Sequence, residues 1–565
     1  MTEEIRARRS PVFWFDLLCP IALFLLSLPL IYRFALVDLD PHHTGLMYKT
    51  ALDVANGKIL FRETFTQYGA LTVYLQSLAI LVLGPQITSI LFSSALFYAA
   101  SFPLLYLTAR HFLRWGSALA ATLLTLAVAP FYFWQYHPWS SVYALFFLLL
   151  SLWLLQHAFA QKARKRYLFF ALSGLCAALT FWCRQPVGFV TALAGLLCIL
   201  FWLILLWKQK KRVLLFGLLS YTGGIGLGVL SFLLPIAASG ATRDFTRQCL
   251  TNMASFAADR ADEGTGAWGI LQHVIYSLFR APLFADIAED VAQQPRFDLL
   301  WLILPLLALG MALWLPIRCI LGLRCGKERL RPTESDVQLL LFCVFAVAAW
   351  HQYYPVACYR HWYWGAFLCI PVLVHALEKG LEKCGSHPHF PFLADQRKRI
   401  LATVLLLTLL FSFDVGFRAV KGTQKLTETH RTEKFEHATY THLNGLYLTP
   451  TVREHYADLT DTLAALQQQF PEANVVNTTG NALYAVFGKN DYTAPDDSDA
   501  VFDELYEDWL TAYIADSRPI VIGPEAPEGY LLYHTPKGYA GDPYAQSHGM
   551  PANIYLPAEL YAQLP

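Results

Sequence analysis

Residues 13–49 read FWFDLLCPIALFLLSLPLIYRFALVDLDPHHTGLMYK, an apolar run that stops abruptly at two aspartates and two adjacent histidines. The apolar part exceeds the roughly 20 residues needed to cross a hydrocarbon core, so it reads as a first membrane span. No small-residue cleavage site separates it from the polar loop, which argues against a secretory signal. Asp38, Asp40, His42 and His43 therefore sit at the mouth of a span, as a solvated loop, a metal site or a reaction centre.

The rest of the 565-residue chain has the same character. It is 55% hydrophobic and 15% charged, with mean hydropathy +0.38, against about 25% charged residues in soluble proteins. The net charge of +1 is uninformative about nucleic acid, and no basic domain suggests such a partner, so none is expected. The 11 cysteines are scattered, mostly in apolar runs, and have no regular spacing. They read as small buried hydrophobes rather than a disulfide framework or zinc ribbon.

Further spans are expected near 86–109, 116–133, 139–160, 167–183, 187–207, 212–236, 298–317, 336–350, 362–379 and 399–416. The loops between them alternate in charge. RARR at the N-terminus, QKARKR (161–166), KQKKR (208–212), RCILGLRCGKERLRP (318–332) and DQRKR (395–399) are basic, whereas QYHPWSS (135–141) and HQYYPVACYRH (351–361) are nearly free of lysine and arginine. The positive-inside rule puts the basic loops and the N-terminus in the cytoplasm and everything beyond about residue 418 outside. The first loop (36–84) and the long loop 238–297 then lie outside too. Within the first loop, ALTVYLQSLAILVLG (70–84) is too short for a span and reads as a helix in the interface or packed beneath the loop.

Polar and aromatic residues gather at the outer span ends. The first loop offers Asp38, Asp40, His42, His43, Tyr48, Glu63, Gln67 and Tyr68. Later edges add His137, Trp139, Arg184, Gln185, His351, Tyr353, Arg360, His361, Trp362 and Trp364. Ionisable groups at membrane depth are costly, and their recurrence at one face points to a shared pocket. Ordinary readings stand beside this one. Trp362 and Trp364 suit interfacial anchors, Arg184 suits a helix C-terminal cap or a lipid phosphate, His137 and His351 suit structural roles, and Glu63 suits a solvated loop. Four imidazole and carboxylate groups within residues 38–43 also suit a divalent metal ion.

Beyond the last span, YADLTDTLAALQQQF (456–470) reads as an amphipathic helix, NVVNTT (474–479) and RPIVIGP (518–524) as short buried strands, and 501–516 as a helix between them. This is a small α/β unit. Its NTT (477–479) fits the glycosylation triplet, and no phosphate-binding glycine loop is present.

The arrangement resembles the GT-C superfamily of glycosyltransferases, of the protein mannosyltransferase and aminoarabinose transferase type. The resemblance covers about residues 10–420. It is carried by the first span with its acidic outer loop, the pattern Tyr48…Ala51…Ala55–Gly57, the QYG at 67–69 before a short helix, and the RQPVG (184–188) and YP…RH…W (354–362) edges. It implies a mainly α fold, a polytopic membrane domain of about 11 transmembrane helices over 1–418, followed by an extracytoplasmic α/β domain over 419–565. It further implies an inverting transfer of sugar from a polyprenyl-phosphate donor to a lipid, glycan or protein acceptor, in a membrane such as the bacterial inner membrane. Many members carry an Asp-Glu pair about fifteen residues before the loop glycine, but counting back from Gly57 reaches His42 and His43.

The catalytic carboxylate thus stays open between Asp40 and Asp38, as base toward an acceptor hydroxyl. Asp38, Asp40, His42 and His43 are the candidate ligands of a divalent ion. Arg360, with His361 and Arg184, would bind the donor phosphate. His42, His43, Tyr48, Glu63, Gln67, Tyr68, His137, Trp139, Gln185 and Tyr353 would line the substrate site. Two other classes compete: a transporter or lipid flippase, which would place ionisable groups near the midplane and show internal repeats, and a non-catalytic assembly or sensor protein.

Overall fold

The computed structural model describes residues 11–132, 136–161, 164–251, 266–284, 299–324, 332–354, 356, 358–429, 433–434, 442–448, 450–489, 504–537 and 553–564. Apolar runs rich in leucine, alanine and phenylalanine make long helices, because in lipid only a helix satisfies every backbone group internally. In chain order they are α1 (Pro11–Ala35), α2 (His43–Ala55), α3 (Ala70–Leu83), α4 (Ile87–Ala109), α5 (Trp115–Ala127), α6 (Ser140–Ala160), α7 (Lys165–Cys183), α8 (Gln185–Leu205) and α9 (Trp207–Ala238). The membrane part ends with α10 (Leu299–Arg324), α11 (Glu334–Ala349), α12 (Tyr359–Ala366), α13 (Cys369–Gly385) and α14 (Gln396–Thr429).

Nine helices among the described residues are long and apolar enough to cross a membrane, and α12 with α13, bent by 58°, makes a tenth. The expected count of about 11 includes α5, which has 13 residues and spans about 20 Å against a hydrocarbon core of about 30 Å. The chain nevertheless changes faces across it. Arg110, just after α4, pairs with Asp16 near the start of α1 (Nε–Oδ1 2.6 Å). His137 meets Asp40, just past the other end of α1. Segment 110–137 therefore runs from one face of the bundle to the other.

The face marked by Asp16 and Arg110 also holds the Arg318–Asp336 pair (2.9 Å) that closes the α10–α11 hairpin. There a capping box between Thr333 and Asp336 starts α11. Helix α3 packs one face inward, with Thr72, Val73, Gln76, Ser77 and Ile80 buried. It leaves Leu78, Leu81 and Val82 exposed, the stripe of a helix lying against lipid rather than spanning it.

After α14 come a two-stranded ribbon, β1 (Glu433–Lys434) with β2 (Tyr447–Leu448), and the helix α15 (Pro450–Gln469). Strand β3 (Val475–Asn477) pairs in parallel with β4 (Ile520–Gly523), in the register Val475↔Ile520. Helix α16 (Glu504–Ser517) lies between them in sequence, which is the expected β–α–β order. Two strands that the short sequence runs do not announce, β5 (Tyr530–His534) and β6 (Asn553–Pro557), complete the sheet in the order β3-β4-β6-β5. Asn477 of the NTT triplet is buried, and its amide donates to Asn481 O at 2.9 Å. That leaves it poorly placed to accept a glycan.

This C-terminal region is docked on the first loop. Tyr447 N donates to Leu36 O (2.8 Å), and Leu483 N donates to Pro41 O (3.2 Å). Gly45 of α2 lies against the backbone of Ala482 and Leu483, so close that a Cβ there would stand 2.3 Å from Leu483 N. Backbone faces backbone, and no side chain can swing away. Gly45→Ala is expected to lower the thermal midpoint in detergent, at a cost of about 1–3 kcal/mol. Gly116→Ala, where a Cβ meets nothing within 4 Å, should leave the midpoint unchanged; equal midpoints for the two variants would refute the close docking.

Candidate active site

Four helices begin at one end of the bundle: α2 at His43, α6 at Ser140, α8 at Gln185 and α12 at Tyr359. None of the four has an N-cap side chain accepting from its first turn. Each such end carries about half a positive charge from its aligned peptide groups. Polar residues just before and within these first turns are thereby aimed at a common, positively polarised space.

Asp40 stands at the centre and is 8% exposed. Its Oδ1 accepts the His43 backbone N–H (3.0 Å). Its Oδ2 lies 3.0 Å from His43 Nδ1 and 2.5 Å from His137 Nε2. Burial works against the ionised carboxylate, but the two imidazoles outweigh it and hold the carboxyl well below its usual range. Burial likewise pushes the His43 imidazole down to about 4, against the pull of Asp40, so the ring is neutral near pH 7.

Arg360, in the first turn of α12, brings Nη1 to 3.1 Å from His137 Nε2 and lays its guanidinium 4.8 Å over the Trp139 ring. Arg184, just before α8, donates to Ser141 Oγ in the first turn of α6. His361 lies within electrostatic reach of Arg184, Arg360 and His43. Trp139 packs against His43, His137 and His361 (ring centroids 5.1, 4.7 and 5.8 Å). The Trp139 indole N–H and the Ser140 hydroxyl are buried with no partner among the described residues. A buried donor without a partner costs stability and marks a place where a ligand can accept.

The two aspartates part company here. Asp38 is exposed in a left-handed backbone conformation (φ 66°), accepts from its neighbour's Leu39 N (2.8 Å), and lies within electrostatic reach of Lys425 in α14. His42 Nδ1 donates to Gly480 O (3.2 Å). The ligand atoms that converge within 4.8 Å are those of Asp40, His43 and His137, not those of the four groups in residues 38–43. Of the other expected site residues, Tyr68 lies near Arg184, with Gln67 half-buried beside it, and Gln185 is buried at the start of α8. Tyr48 bonds His442 (2.6 Å), Glu63 accepts from Ile59 N within its own turn (2.8 Å), and Tyr353 donates to Trp301 O (2.6 Å).

Sequence reasoning missed how closely His137 joins Asp40, since 97 positions separate them. It also passed over Asp414 and Arg418, both buried in α14. Their signal was present in FDVGFR (413–418), an i,i+4 charge pair near the end of the last apolar run. Gln248, in the long outer loop, accepts from Thr66 N (3.1 Å) and donates to Phe61 O (2.8 Å), which ties that loop to the first. Nothing in the sequence around it announces this.

No protein-family model and no curated protein matches the sequence. Solved structures do match its fold. The apo oligosaccharyltransferase of Archaeoglobus fulgidus superposes with TM-score 0.51 at 12% identity, over 91% of this chain and 70% of that one. Apo ArnT from Cupriavidus metallidurans superposes with TM-score 0.51 at 11% identity, over 96% of this chain and 98% of that one. The chain has the GT-C fold of these membrane transferases.

The imidazole of His43 supplies a test of this geometry. Burial depresses its folded pKa to about 4 from the ordinary 6.5 of a histidine. Its stabilising contribution is therefore complete above pH 6.5 and is lost as pH falls toward 4. The thermal midpoint should drop across that window, and more shallowly in His43→Gln; an unaltered slope would show that His43 is not held neutral beside Asp40.

Proposed function

We propose that the protein is an integral-membrane glycosyltransferase that takes a sugar from a polyprenyl-phosphate-linked donor and passes it to a lipid, glycan or protein acceptor. The observation that carries this reading is the meeting, at one face of the bundle, of a buried carboxylate–imidazole cluster with two arginines and four helix N-termini. Such a face suits an anion with a long apolar tail. The phosphate takes the positive end of the site while the prenyl chain lies among membrane helices. The two GT-C structures that share the fold make sugar transfer the chemistry of choice. The positive-inside rule puts this face outside the cytoplasm, because the basic loops lie at the opposite end.

In this reading Asp40 is the base. As the acceptor oxygen bonds to the anomeric carbon from the side opposite the phosphate, its proton passes to the Asp40 carboxylate, aligned by His43 and His137. The bond from the anomeric carbon to phosphate oxygen breaks, and the configuration inverts. Arg360 and Arg184 meet the charge that grows on the departing phosphate, which is where preorganised donors contribute most. The Trp139 indole N–H, buried with no partner among the described residues, would donate to the donor sugar or its phosphate. Asp38, His42, Tyr48, Glu63 and Tyr353 serve the shape of the site rather than the reacting atoms.

A second role for the same cluster is favoured by His137. Its Nε2 faces both an acceptor, Asp40 Oδ2, and a donor, Arg360 Nη1, and one nitrogen cannot serve both. Two imidazoles and a carboxylate are a donor set that divalent transition ions accept, and their ligand atoms lie within 4.8 Å of one another. Asp40, His43 and His137 would hold such an ion, and when bound it supplies positive charge next to the phosphate.

Purified protein incubated with radiolabelled polyprenyl-phosphate sugars and membrane extract is expected to transfer label. Asp40→Asn should lower transfer by about 10²-fold or more, and Arg360→Lys by about tenfold or more, with Asp38→Asn close to wild type. Chelator treatment reversed by Mn²⁺ or Zn²⁺ would assign the cluster to an ion, and indifference to chelator would assign it to the base alone. Substrate counterflow in proteoliposomes without covalent product would overturn the enzyme in favour of a transporter.

A further inference from the structure

Asp414 and Arg418 are 6% and 3% exposed, toward the end of α14 that reaches the candidate site. Arg418 Nη1 donates to Asp414 Oδ1 (3.1 Å) and to Asp414 O (2.6 Å). That contact alone would neutralise the charge. The guanidinium does more. Its Nε donates to Val128 O (2.9 Å), and its carbon lies 4.5 Å over the Tyr359 ring. Tyr359 OH donates to the same Val128 O (2.7 Å).

One carbonyl thus receives hydrogen bonds from α12 and from α14, and one guanidinium faces all three segments. The segment through Val128 leads on to His137 and Trp139, and Tyr359 is the residue before Arg360. Burying an ion pair is costly, and a hydrophobic pair of equal volume would often be more stable. Its presence here calls for a role beyond holding helices together.

We propose that Arg418, held by Asp414, is a positioning residue that locks the Val128 segment to the first turn of α12. It thereby sets the approach of Arg360 to His137 (3.1 Å) and the stacking of Arg360 on Trp139. Lysine is a poor substitute, because the guanidinium reaches Asp414 with Nη1 and Val128 O with Nε while its plane stacks on Tyr359, and an ammonium has one nitrogen and no flat face to hold all three in place. The consequence for sugar transfer rests on the function proposed above, whereas the positioning itself does not.

The test uses full-length protein in detergent and compares Arg418→Gln, Asp414→Asn, the double variant and Arg418→Lys. Either single neutral variant leaves a buried charge unpaired, which by itself strongly destabilises the fold, so the double variant carries the decision. It is expected to regain the wild-type thermal midpoint, because a neutral amide pair carries no unpaired charge. Backbone hydrogen exchange in peptides covering 136–141 and 358–362 should still be faster by about tenfold, and transfer should stay at least about tenfold down, chiefly in kcat/KM for the donor. Arg418→Lys, which keeps the charge, should show the same fast exchange. Exchange that returns to wild type together with the midpoint, in the double variant or in Arg418→Lys, would reduce the pair to a structural one. If wild-type protein transfers no sugar, the exchange measurement still decides the positioning role, and only the proposed function falls.

Discussion

The Asp40 carboxylate cannot stay ionised and buried alone; it must be compensated where it stands. Its compensation comes from two places that the chain reaches separately, the first turn of α2 through His43 and the approach to α6 through His137. Meeting that requirement joins the first outer loop to the second, and Arg360, next to His137, brings in the edge before α12. A charge that costs several kcal/mol when unpaired thus acts as the pin on which three loops are hung. The geometry of the face follows from keeping that pin in place.

Around it the membrane helices supply electrostatics that no single side chain could. Four helix starts point at one space, and the residues in or beside their first turns include both arginines, the paired imidazoles and the stacked indole of Trp139. Several residues expected at the site bond elsewhere instead. Tyr353 anchors to Trp301 O, Glu63 closes its own turn, and Asp38 lies apart from Asp40. The difference between Asp38 and Asp40 is one of direction. Asp38 adopts a left-handed backbone that turns its carboxylate toward Leu39 N and Lys425, whereas Asp40 lies where the N–H groups at the start of α2 and His137 converge.

The C-terminal region is part of the same construction. Segment 480–483 rests on the turn from Pro41 to Gly45, and Tyr447 continues the backbone of Leu36. Within the first loop α3 supports α2 through Ser77 to Ala51 O, and it reaches the second outer edge through Gln76 to Pro138 O. From the side the first loop is held by Gln248, and from above by Tyr447 and segment 480–483. Each brace fixes backbone rather than side chain, which suits a loop whose value lies in the placement of Asp40 and His43.

The spans, the alternating basic loops, the short helix α3 and the β–α–β order were legible in the sequence, because hydrophobic periodicity and charge are local properties of a chain in a membrane. So was the polar stretch DLDPHH, since ionisable groups beside a span stand out from composition alone. The 58° break between α12 and α13, the shortness of α5 within its expected span, and strands β5 and β6 were not legible, because each depends on what packs against it. The partnership of Asp40 with His137 belongs to the same class, as does that of Arg418 with Val128 and Tyr359. Sequence determined which residues cannot comfortably sit in lipid. Only tertiary structure decided which of them compensate one another, because a buried charge is satisfied by neighbours in space, and here those neighbours lie far along the chain.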